Sequence, residues 1–426
     1  RIFLLSQRYF INDIFYKPGG PVFLFIKGEN AASRQMVTGN NTWTTYAERL
    51  GALCLLLEHR FYGHSQPTGD LSTASLRYLN SRQALADIVN FRTQIAKTMG
   101  LTKNKWVIFG GSYGGSLAVW SRIKRPDLFF AAVGSSAPML AKVNFYEYLE
   151  IFYRTLTTYN IECARAVEKA FTLIVALVKI PEYYSMLADD FMALGTIVII
   201  CCSPALLFAI TIILCVPIIY RAKFAQDVFY HHFCRILLGC WGNRDCRAPE
   251  LNVNVIMEKC FFSLGQPCLK ASVENIVLII REAEPHSTGT SSRQWFYQCC
   301  TEFGFFQTTD SNNHPFSGLP LRYYVKRCSD VFGTGFNYDS LTWRVKANNI
   351  YYGGFNVNGS KIIFSNGSND PWHFLGITKD ISRDLPAVFM KGEIHCADMY
   401  KQMDTDSHEL IQAREKIFQI LQKWLK

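Results

Sequence analysis

The sequence has few charged residues and no repeats. Charged residues make up only 18% of the 426 residues. No segment recurs at a fixed period, which excludes collagen-like and other repeat architectures. Hydrophobic residues make up 49% and aromatic residues 14%, so the chain can bury a large core and global disorder is excluded. The length fits one large domain with an insertion, or two domains.

A concentrated positive charge is also missing. The formal net charge of +10 comes from 44 Lys and Arg against 34 Asp and Glu, and these residues are spread along the chain. A nucleic-acid binder usually gathers such charge into a patch or an arm. We therefore predict no nucleic-acid partner and interpret the charge as the basic surface of a secreted protein.

Motifs that hold cofactors are absent from the sequence. There is no phosphate-binding P-loop, no dinucleotide fingerprint and no C-x-x-C spacing. The one Cys/His cluster is spaced too loosely for paired zinc ligands, and it consists of His231, His232, Cys234, Cys240 and Cys246. We predict no metal and no cofactor, and expect disulfides or burial for this cluster.

Three N-glycosylation sequons and 14 cysteines agree with passage through the secretory pathway. The sequons begin at Asn40, Asn358 and Asn366. The first residue is Arg1, so a removed signal peptide is neither shown nor excluded. We expect the protein in a secreted form or in the lysosomal or vesicular lumen.

The first third of the chain alternates between strand and helix. Apolar runs of strand length occupy residues 21–26, 52–57 and 106–109. Uninterrupted apolar runs are typical of strands buried on both faces of a parallel sheet. Between the second and third run, residues 82–99 carry an apolar stripe at helical spacing, which completes a β-α-β unit.

The middle of the chain differs from both ends. Strand patterns become rare after residue 145 and return at 361–364 and 387–390, before a final amphipathic helix. We predict one α/β domain formed by residues 1–144 and 336–426, with a helical insertion at 145–335.

An anomalous apolar segment lies inside the predicted insertion, at residues 191–223. Residues 195–220 are apolar enough to span a bilayer, although Pro204 and Pro217 interrupt them. Three interpretations are open at this point: a membrane span, a buried element of the insertion, or translated non-coding sequence.

The strand at 106–109 leads into a candidate nucleophile. Residues 110–114 (GGSYG) match G-x-S-x-G between that strand and a predicted helix. Small residues permit the strained strand-to-helix turn that exposes a serine hydroxyl. We predict Ser112 as the nucleophile; the alternative is an ordinary glycine-rich turn.

A candidate acid and base follow in the chain order expected for this turn, serine, acid, histidine. Asp370 lies in the loop that leaves the strand at 361–364, and His395 lies in the loop that leaves the last strand. Loops at the same edge of successive parallel strands hold active sites. The alternatives are a turn-forming aspartate before proline and a structural loop histidine.

The chain resembles the serine carboxypeptidase family that contains lysosomal Pro-X carboxypeptidase, dipeptidyl peptidase II and thymus-specific serine protease, and it is most similar to the thymus-specific branch. The matching stretches are 7–10 (QRYF), 20–24 (GPVFL), 58–63 (EHRFYG), 110–113 (GGSY), 135–138 (SSAP), 301–307 (TEFGFFQ), 366–367 (NG), 370–372 (DPW) and 395–398 (HCAD). The resemblance implies an α/β-hydrolase fold with an inserted helical cap domain, and cleavage of peptides next to proline.

The resemblance also implies roles for individual residues. Ser112 would be the nucleophile, His395 the base and Asp370 the acid that orients it. The backbone N–H of Tyr113 would be one oxyanion donor.

The second oxyanion donor would come from Gly28 or Glu29, in the loop after the first strand. This loop has the sequence Lys-Gly-Glu-Asn at 27–30, where the family has more glycine. Because glycine permits a close backbone approach, the difference affects the expected strength of the activity rather than its type. Trp372 matches a position that lines the proline pocket, and simple core packing is its alternative.

The predicted catalytic residues argue against a membrane span and leave the other two interpretations of residues 191–223 open. A single span at 195–220 would separate Ser112 from Asp370 and His395, so we expect no membrane span. We predict a serine-type exopeptidase with a peptide substrate, in carboxypeptidase or dipeptidyl-peptidase mode. The alternatives are an esterase on the same fold and a catalytically weak peptide-binding homologue. The oligomeric state stays open, with a homodimer as one option.

Overall fold

A mostly parallel seven-stranded sheet forms the centre of the fold. The computed structural model describes residues 6–177, 179–183, 280, 281, 283 and 291–426. The sheet strands are β1 (Tyr9–Asn12), β2 (Val22–Ile26), β3 (Leu53–Leu57), β4 (Trp106–Gly111), β5 (Ala131–Ser135), β8 (Ile362–Gly367) and β9 (Ala387–Met390). Their order is β1-β3-β2-β4-β5-β8-β9, and only β1 is antiparallel to its neighbour. A separate two-stranded sheet joins β6 (Lys142–Asn144) and β7 (Gly304–Phe306).

Helices connect these strands and also form most of the described residues between β6 and β8. They are α1 (Gln35–Thr38), α2 (Thr42–Leu50), α3 (Thr73–Leu76), α4 (Ser81–Thr98), α5 (Tyr113–Lys124), α6 (Glu147–Tyr159), α7 (Ile161–Leu177), α8 (Ser292–Gln298), α9 (Leu321–Phe332), α10 (Tyr338–Tyr352) and α11 (His408–Leu425). Short 3-10 turns occupy Pro181–Tyr183, Pro371–Leu375 and Ala397–Met399, and a π-helical turn follows α8 at Cys299–Phe303.

The predicted α/β-hydrolase fold is confirmed. Every residue of β2 and β3 is buried, as uninterrupted apolar runs require for strands covered on both faces. The predicted helix at 82–99 is α4, whose first turn is capped by the Asn80 side chain accepting from the Gln83 N–H. The sequence analysis missed β1 and β5. The residues of β5, Ala131–Ser135, are small and the last one is polar, so they lack the apolar pattern of a buried strand.

The chain divides into two compact units. One comprises Arg1–Val143, Glu282–Phe305 and Tyr338–Lys426, and contains the seven-stranded sheet. The other comprises Asn144–Arg281 and Phe306–Asn337. Residues 282–305, which the sequence analysis assigned to the helical insertion, belong to the unit that holds the sheet.

The second unit has an aromatic core of its own. Phe316 packs against Phe152 of α6 and Phe171 of α7, with ring centroids 5.8 and 5.4 Å away. Tyr153 meets the same ring edge-on at 6.2 Å. These contacts join α6 and α7 to the segment before α9.

The apolar segment at 191–223 and the Cys/His cluster at 231–246 lie outside the described residues. Within the described part of the chain, no helix is long and apolar enough to cross a membrane. The same part contains no group of three or more His, Cys, Asp and Glu side chains arranged to hold a metal ion.

Candidate active site

Ser112 occupies a strained turn between β4 and α5. Its backbone has φ 56° and ψ −132°, a conformation that L residues rarely adopt. The Ser112 N–H donates to the Ser135 carbonyl at 2.9 Å, which fixes the turn to the end of β5. A Cβ on Gly110 would lie 2.1 Å from the Gly114 carbonyl oxygen, so the turn needs glycine there. This is the geometry of a nucleophile elbow.

Asp370 and His395 form a hydrogen-bonded pair. His395 Nδ1 donates to Asp370 Oδ2 at 2.9 Å, and the Asp370 side chain is fully buried. The other carboxylate oxygen, Oδ1, accepts from the Trp372 N–H at 3.0 Å at the start of the 3-10 turn. The carboxylate is thus held at both oxygens, and the imidazole is fixed in the tautomer that leaves Nε2 as the proton acceptor.

The pKa of His395 reflects two opposing effects. Burial alone would lower it, but the Asp370 carboxylate raises it, and the pKa of His395 ends well above its ordinary value of 6.5. The paired carboxylate therefore stabilises the imidazolium, which is the state a general base reaches when it takes a proton.

The loop that carries His395 is fastened to two strand ends. Cys396, in left-handed conformation at φ 55°, donates its N–H to Ser136 Oγ at 2.9 Å. The buried Asp398 carboxylate accepts hydrogen bonds from the hydroxyls of Ser135, at the end of β5, and Ser365, in β8. The sequence analysis did not identify these positioning contacts, and only the HCAD motif pointed to the region.

The oxyanion donors predicted from the sequence lie where two backbone segments meet. A Cβ on Gly28 would lie 2.9 Å from the Gly114 N, and a Cβ on Gly114 would lie 2.6 Å from the Ile26 carbonyl oxygen. The loop with Lys27, Gly28 and Glu29 therefore approaches the start of α5 closely, although it has fewer glycines than the family pattern. Gly28 and Gly114 together supply the space that this approach needs.

The Tyr113 side chain lies in a buried polar network behind the elbow. Its hydroxyl contacts His59 Nε2 at 3.0 Å and accepts from Gln298 Nε2 at 3.1 Å. Tyr62 donates to Gln298 Oε1 at 2.6 Å. Burial lowers the pKa of His59 to about 3, so this histidine is neutral. None of these side-chain roles was identified from the sequence.

Trp372 lies in an aromatic cluster beside the histidine. Its ring centroid is 6.3 Å from that of His395 and 5.2 Å from that of Phe305, which it meets edge-on. Phe305 stacks on Phe303 at 5.4 Å and on Trp295 at 6.3 Å. Trp372 is 7% exposed, so it has the buried surroundings of a core residue, and its ring lies beside that of His395.

Asp370 and His395 are hydrogen-bonded to each other. Among the hydrogen bonds of the described residues, none joins the Ser112 hydroxyl to His395. Such bonds are often long without substrate and tighten only in the substrate complex.

The sequons have different outcomes. Asn40 and Asn358 are exposed. Asn366 is 1% exposed within β8, and its Nδ2 donates to the Ile377 carbonyl at 2.9 Å. A glycan cannot occupy an amide nitrogen that is buried and hydrogen-bonded, so the prediction for Asn366 is wrong. Cys300 and Cys328 are disulfide-bonded, which confirms the expected use of disulfides.

The strand order and the position of the serine turn at the end of β4 define an α/β hydrolase. The family model described as "Serine carboxypeptidase S28" matches residues 3–417. The chain therefore belongs to the S28 family of serine peptidases.

Individual relatives span nearly the whole chain. Thymus-specific serine protease of Mus musculus is 38% identical over 429 residues, covering 99% of this chain and 84% of the relative. The Homo sapiens protein of the same name is 36% identical, covering 99% and 83%. Lysosomal Pro-X carboxypeptidase of Mus musculus is 27% identical, covering 99% and 85%.

Proposed function

We propose that the chain is a serine exopeptidase that cleaves peptide bonds next to proline, with Ser112 as nucleophile, His395 as base and Asp370 as orienting acid. The observation that carries the proposal is the 2.9 Å hydrogen bond between His395 Nδ1 and Asp370 Oδ2. The two residues follow adjacent parallel strands of the same sheet that positions Ser112 at the end of β4.

In the acylation step, Ser112 Oγ attacks the peptide carbonyl while His395 Nε2 takes the hydroxyl proton. Asp370 stabilises the resulting imidazolium. Collapse of the tetrahedral intermediate breaks the C–N bond, and His395 returns the proton to the leaving amine. A water molecule then attacks the acyl-enzyme, again giving its proton to His395, and the acid is released as Ser112 regains its proton.

The developing oxyanion needs hydrogen-bond donors in fixed positions. We assign this role to the backbone N–H of Tyr113 and to an N–H of the Gly28–Glu29 segment. The close approach of Gly28 to Gly114 supports the assignment. Loss of one such donor costs about 10²–10³ in rate.

The preference for proline rests on the aromatic cluster beside the base. The proline ring is apolar and rigid, and aromatic side chains are its usual binding surface. Trp372 and Phe305 supply such rings next to His395. One relative carries the name Pro-X carboxypeptidase, which agrees with this preference.

We further propose that the protein works in the secretory or lysosomal lumen. The exposed sequons at Asn40 and Asn358 and the disulfide bonding of Cys300 and Cys328 support this location. A relative is named as lysosomal. Treatment of the cell-expressed protein with an endoglycosidase should increase its gel mobility, and Asn40→Gln with Asn358→Gln should remove that change.

The first test of the catalytic proposal is covalent labelling with a fluorophosphonate probe. We expect wild-type protein to be labelled and Ser112→Ala to be unlabelled. Ser116→Ala is the matched control, because Ser116 is buried one turn later and its hydroxyl donates to the Pro138 carbonyl. Equal labelling of wild type and Ser112→Ala, or no labelling of folded wild type, would contradict the proposal.

Substrate tests then address the bond that is cleaved. Peptides with proline before the last residue, or at the second position, are compared with the same peptides carrying alanine there. Blocking the amino or the carboxyl terminus shows which end is engaged. Labelled enzyme that cleaves simple esters but none of these peptides would favour an esterase instead.

A further inference from the structure

A cavity of about 430 Å³ lies in the unit that holds the sheet, between the start of α4, the turn at Cys299–Phe303 and the helix α10. The described residues that line it do not include Ser112, Asp370 or His395. Its volume is in the range of cavities that bind small molecules. The catalytic proposal assigns it no role.

Among the residues that the structure describes, the lining of the cavity carries more positive than negative groups. Arg77, Arg82 and Arg344 contribute three guanidinium groups, and Glu302 contributes one carboxyl group. Arginine is the side chain best suited to carboxylate and phosphate, because its planar fork can donate two parallel hydrogen bonds. The balance of three against one favours an anionic occupant.

Two of these arginines lie over aromatic rings. Arg82 lies 4.1 Å from the ring centre of Tyr351, and Arg77 lies 4.7 Å from that of Tyr78. Neither forms a salt bridge with a residue that the structure describes. A guanidinium stacked on a ring keeps its N–H groups in the plane of the fork, where an anion can accept from them.

The acidic group of the cavity is already engaged. The Glu302 carboxylate accepts from the Ser81 N–H at 2.9 and 3.0 Å, from the Ser81 hydroxyl at 2.7 Å and from Gln298 Nε2 at 3.2 Å. It thus caps the first turn of α4, where a negative charge is stabilised. Burial raises the pKa of Glu302, and the hydrogen bonds from Ser81 and Gln298 and the charge of Arg82 lower it in part.

The remaining lining suits a flat ring. Tyr297 is buried, whereas Trp343 on α10 is 69% exposed, so an indole face is open to solvent at this site. Large exposed aromatic side chains next to cationic groups are typical of surfaces that bind ring compounds. Asn80 and Asn348 add amide groups that can hydrogen-bond to polar substituents.

We propose that this cavity binds a small organic anion in which a carboxylate or phosphate group is attached to a planar ring. The guanidinium groups of Arg82 and Arg344 bind the anionic group, and Trp343 packs on the ring. The site is separate from the catalytic residues, and the proposal is independent of which bond the enzyme cleaves.

Isothermal titration calorimetry on the Ser112→Ala protein tests the proposal without turnover. Phenyl phosphate and benzoate are the probes, and they distinguish a phosphate-bearing from a carboxylate-bearing ligand. Inorganic phosphate tests the need for the ring, and benzyl alcohol tests the need for the charge. We expect saturable binding of at least one organic anion with Kd of about 1 mM or lower, and at least about tenfold weaker binding of inorganic phosphate and of benzyl alcohol.

Variants of the lining locate the binding. Arg82→Gln and Arg344→Gln should each weaken the binding by about tenfold or more, because each removes charge-assisted hydrogen bonds. Trp343→Ala should weaken it by about fivefold through loss of ring packing. Arg383→Gln is the matched control, since Arg383 is exposed in the same unit and does not line the cavity, and it should change Kd less than twofold.

Three results would overturn the proposal. One is failure of both organic anions to bind at millimolar concentration to protein with an unchanged melting temperature. Another is unchanged affinity in Arg82→Gln and Arg344→Gln, which would mean that the ligand binds elsewhere. A third is equal affinity for benzyl alcohol, which would mean that the arginines do not select charge.

Discussion

Two buried histidines lie in very different surroundings in this molecule. His59 lies behind the nucleophile turn, where its Nδ1 contacts the Arg60 carbonyl and its Nε2 contacts the Tyr113 hydroxyl. His395 lies in the loop after β9, where its Nδ1 contacts the Asp370 carboxylate. Burial lowers the pKa of both side chains, yet His59 ends at about 3 and His395 ends well above 6.5.

The difference shows what a buried histidine needs in order to act as a base. The partners of His59 are neutral. Burial and the positive charge of Arg60 lower its pKa more than the hydrogen bond to the Arg60 carbonyl raises it, so no negative charge stabilises the imidazolium. Asp370 provides a fixed negative charge for His395. A histidine in a conspicuous motif such as EHRFYG can therefore be a neutral structural group, while one carboxylate makes the other a candidate catalyst.

Replacing the carboxylate should make His395 resemble His59, and it has the largest expected effect. We predict that Asp370→Asn lowers kcat by about 10⁴, because the imidazolium loses its stabilising charge and the tautomer is no longer fixed. The pKa of His395 should fall. The acid limb of the kcat/KM profile, which is the decrease in kcat/KM as His395 becomes protonated at low pH, should therefore move to lower pH. Steady-state kinetics across pH would measure both changes.

Asp404→Asn serves as the control for this variant, because Asp404 is an exposed carboxylate in the same part of the chain. It should change kcat less than twofold. A folded Asp370→Asn protein with nearly full activity would show that the pair is structural and that another group acts as the base.

The oxyanion loop offers a way to change the rate without touching either histidine. A Cβ at Gly28 would lie 2.9 Å from the Gly114 backbone nitrogen, so Gly28→Ala should displace the loop. We predict a decrease of about 10²–10³ in kcat. The position of the acid limb should stay unchanged, since the Asp370–His395 bond is preserved.

Gly69→Ala is the matched glycine control, because a Cβ there meets nothing within 4 Å. Its kinetics should match the wild type. If Gly28→Ala were fully active, the oxyanion donors would have to lie outside the loop at 27–30.

The pH profile of the wild type measures the raised pKa directly. His395 must be neutral to accept the Ser112 proton, so kcat/KM should fall as the pH decreases through the His395 pKa. Because Asp370 raises that pKa above 6.5, we predict a limb on the neutral side, with a loss of about tenfold per pH unit below it. A flat kcat/KM profile down to pH 5 would contradict this and would mean that the pKa of His395 in the free enzyme lies below 5.

The sequence alone located the three proposed catalytic residues because each follows a strand that has a clear pattern. Ser112 follows a buried apolar run, and Asp370 and His395 leave two late strands in the expected order. The network around Tyr113 could not be predicted in the same way. Gln298 is 185 positions away along the chain, and nothing local in its sequence indicates that it contacts this hydroxyl.

Burial explains the wrong prediction for Asn366. The sequon at Asn366 is defined by three consecutive residues, and the pattern contains no information about which face of β8 the amide occupies. The structure buries that amide against the Ile377 carbonyl. The Asp398 contacts to Ser135 and Ser365 were missed for a related reason, since they depend on the alignment of three separate segments.

The smallest catalytic effect is expected at the other histidine. We predict that His59→Gln lowers kcat/KM by less than tenfold and leaves the acid limb in place, because His59 is neutral at every pH where the enzyme would work. The variant should still lose stability, about 1–3 kcal/mol, because the buried Tyr113 hydroxyl loses a partner. Chemical denaturation would measure the stability, and the kinetics above would measure the activity. A loss of activity as large as that of Asp370→Asn, with a displaced acid limb, would mean that His59 takes part in proton transfer. It would contradict the assignment of His59 as a neutral structural group.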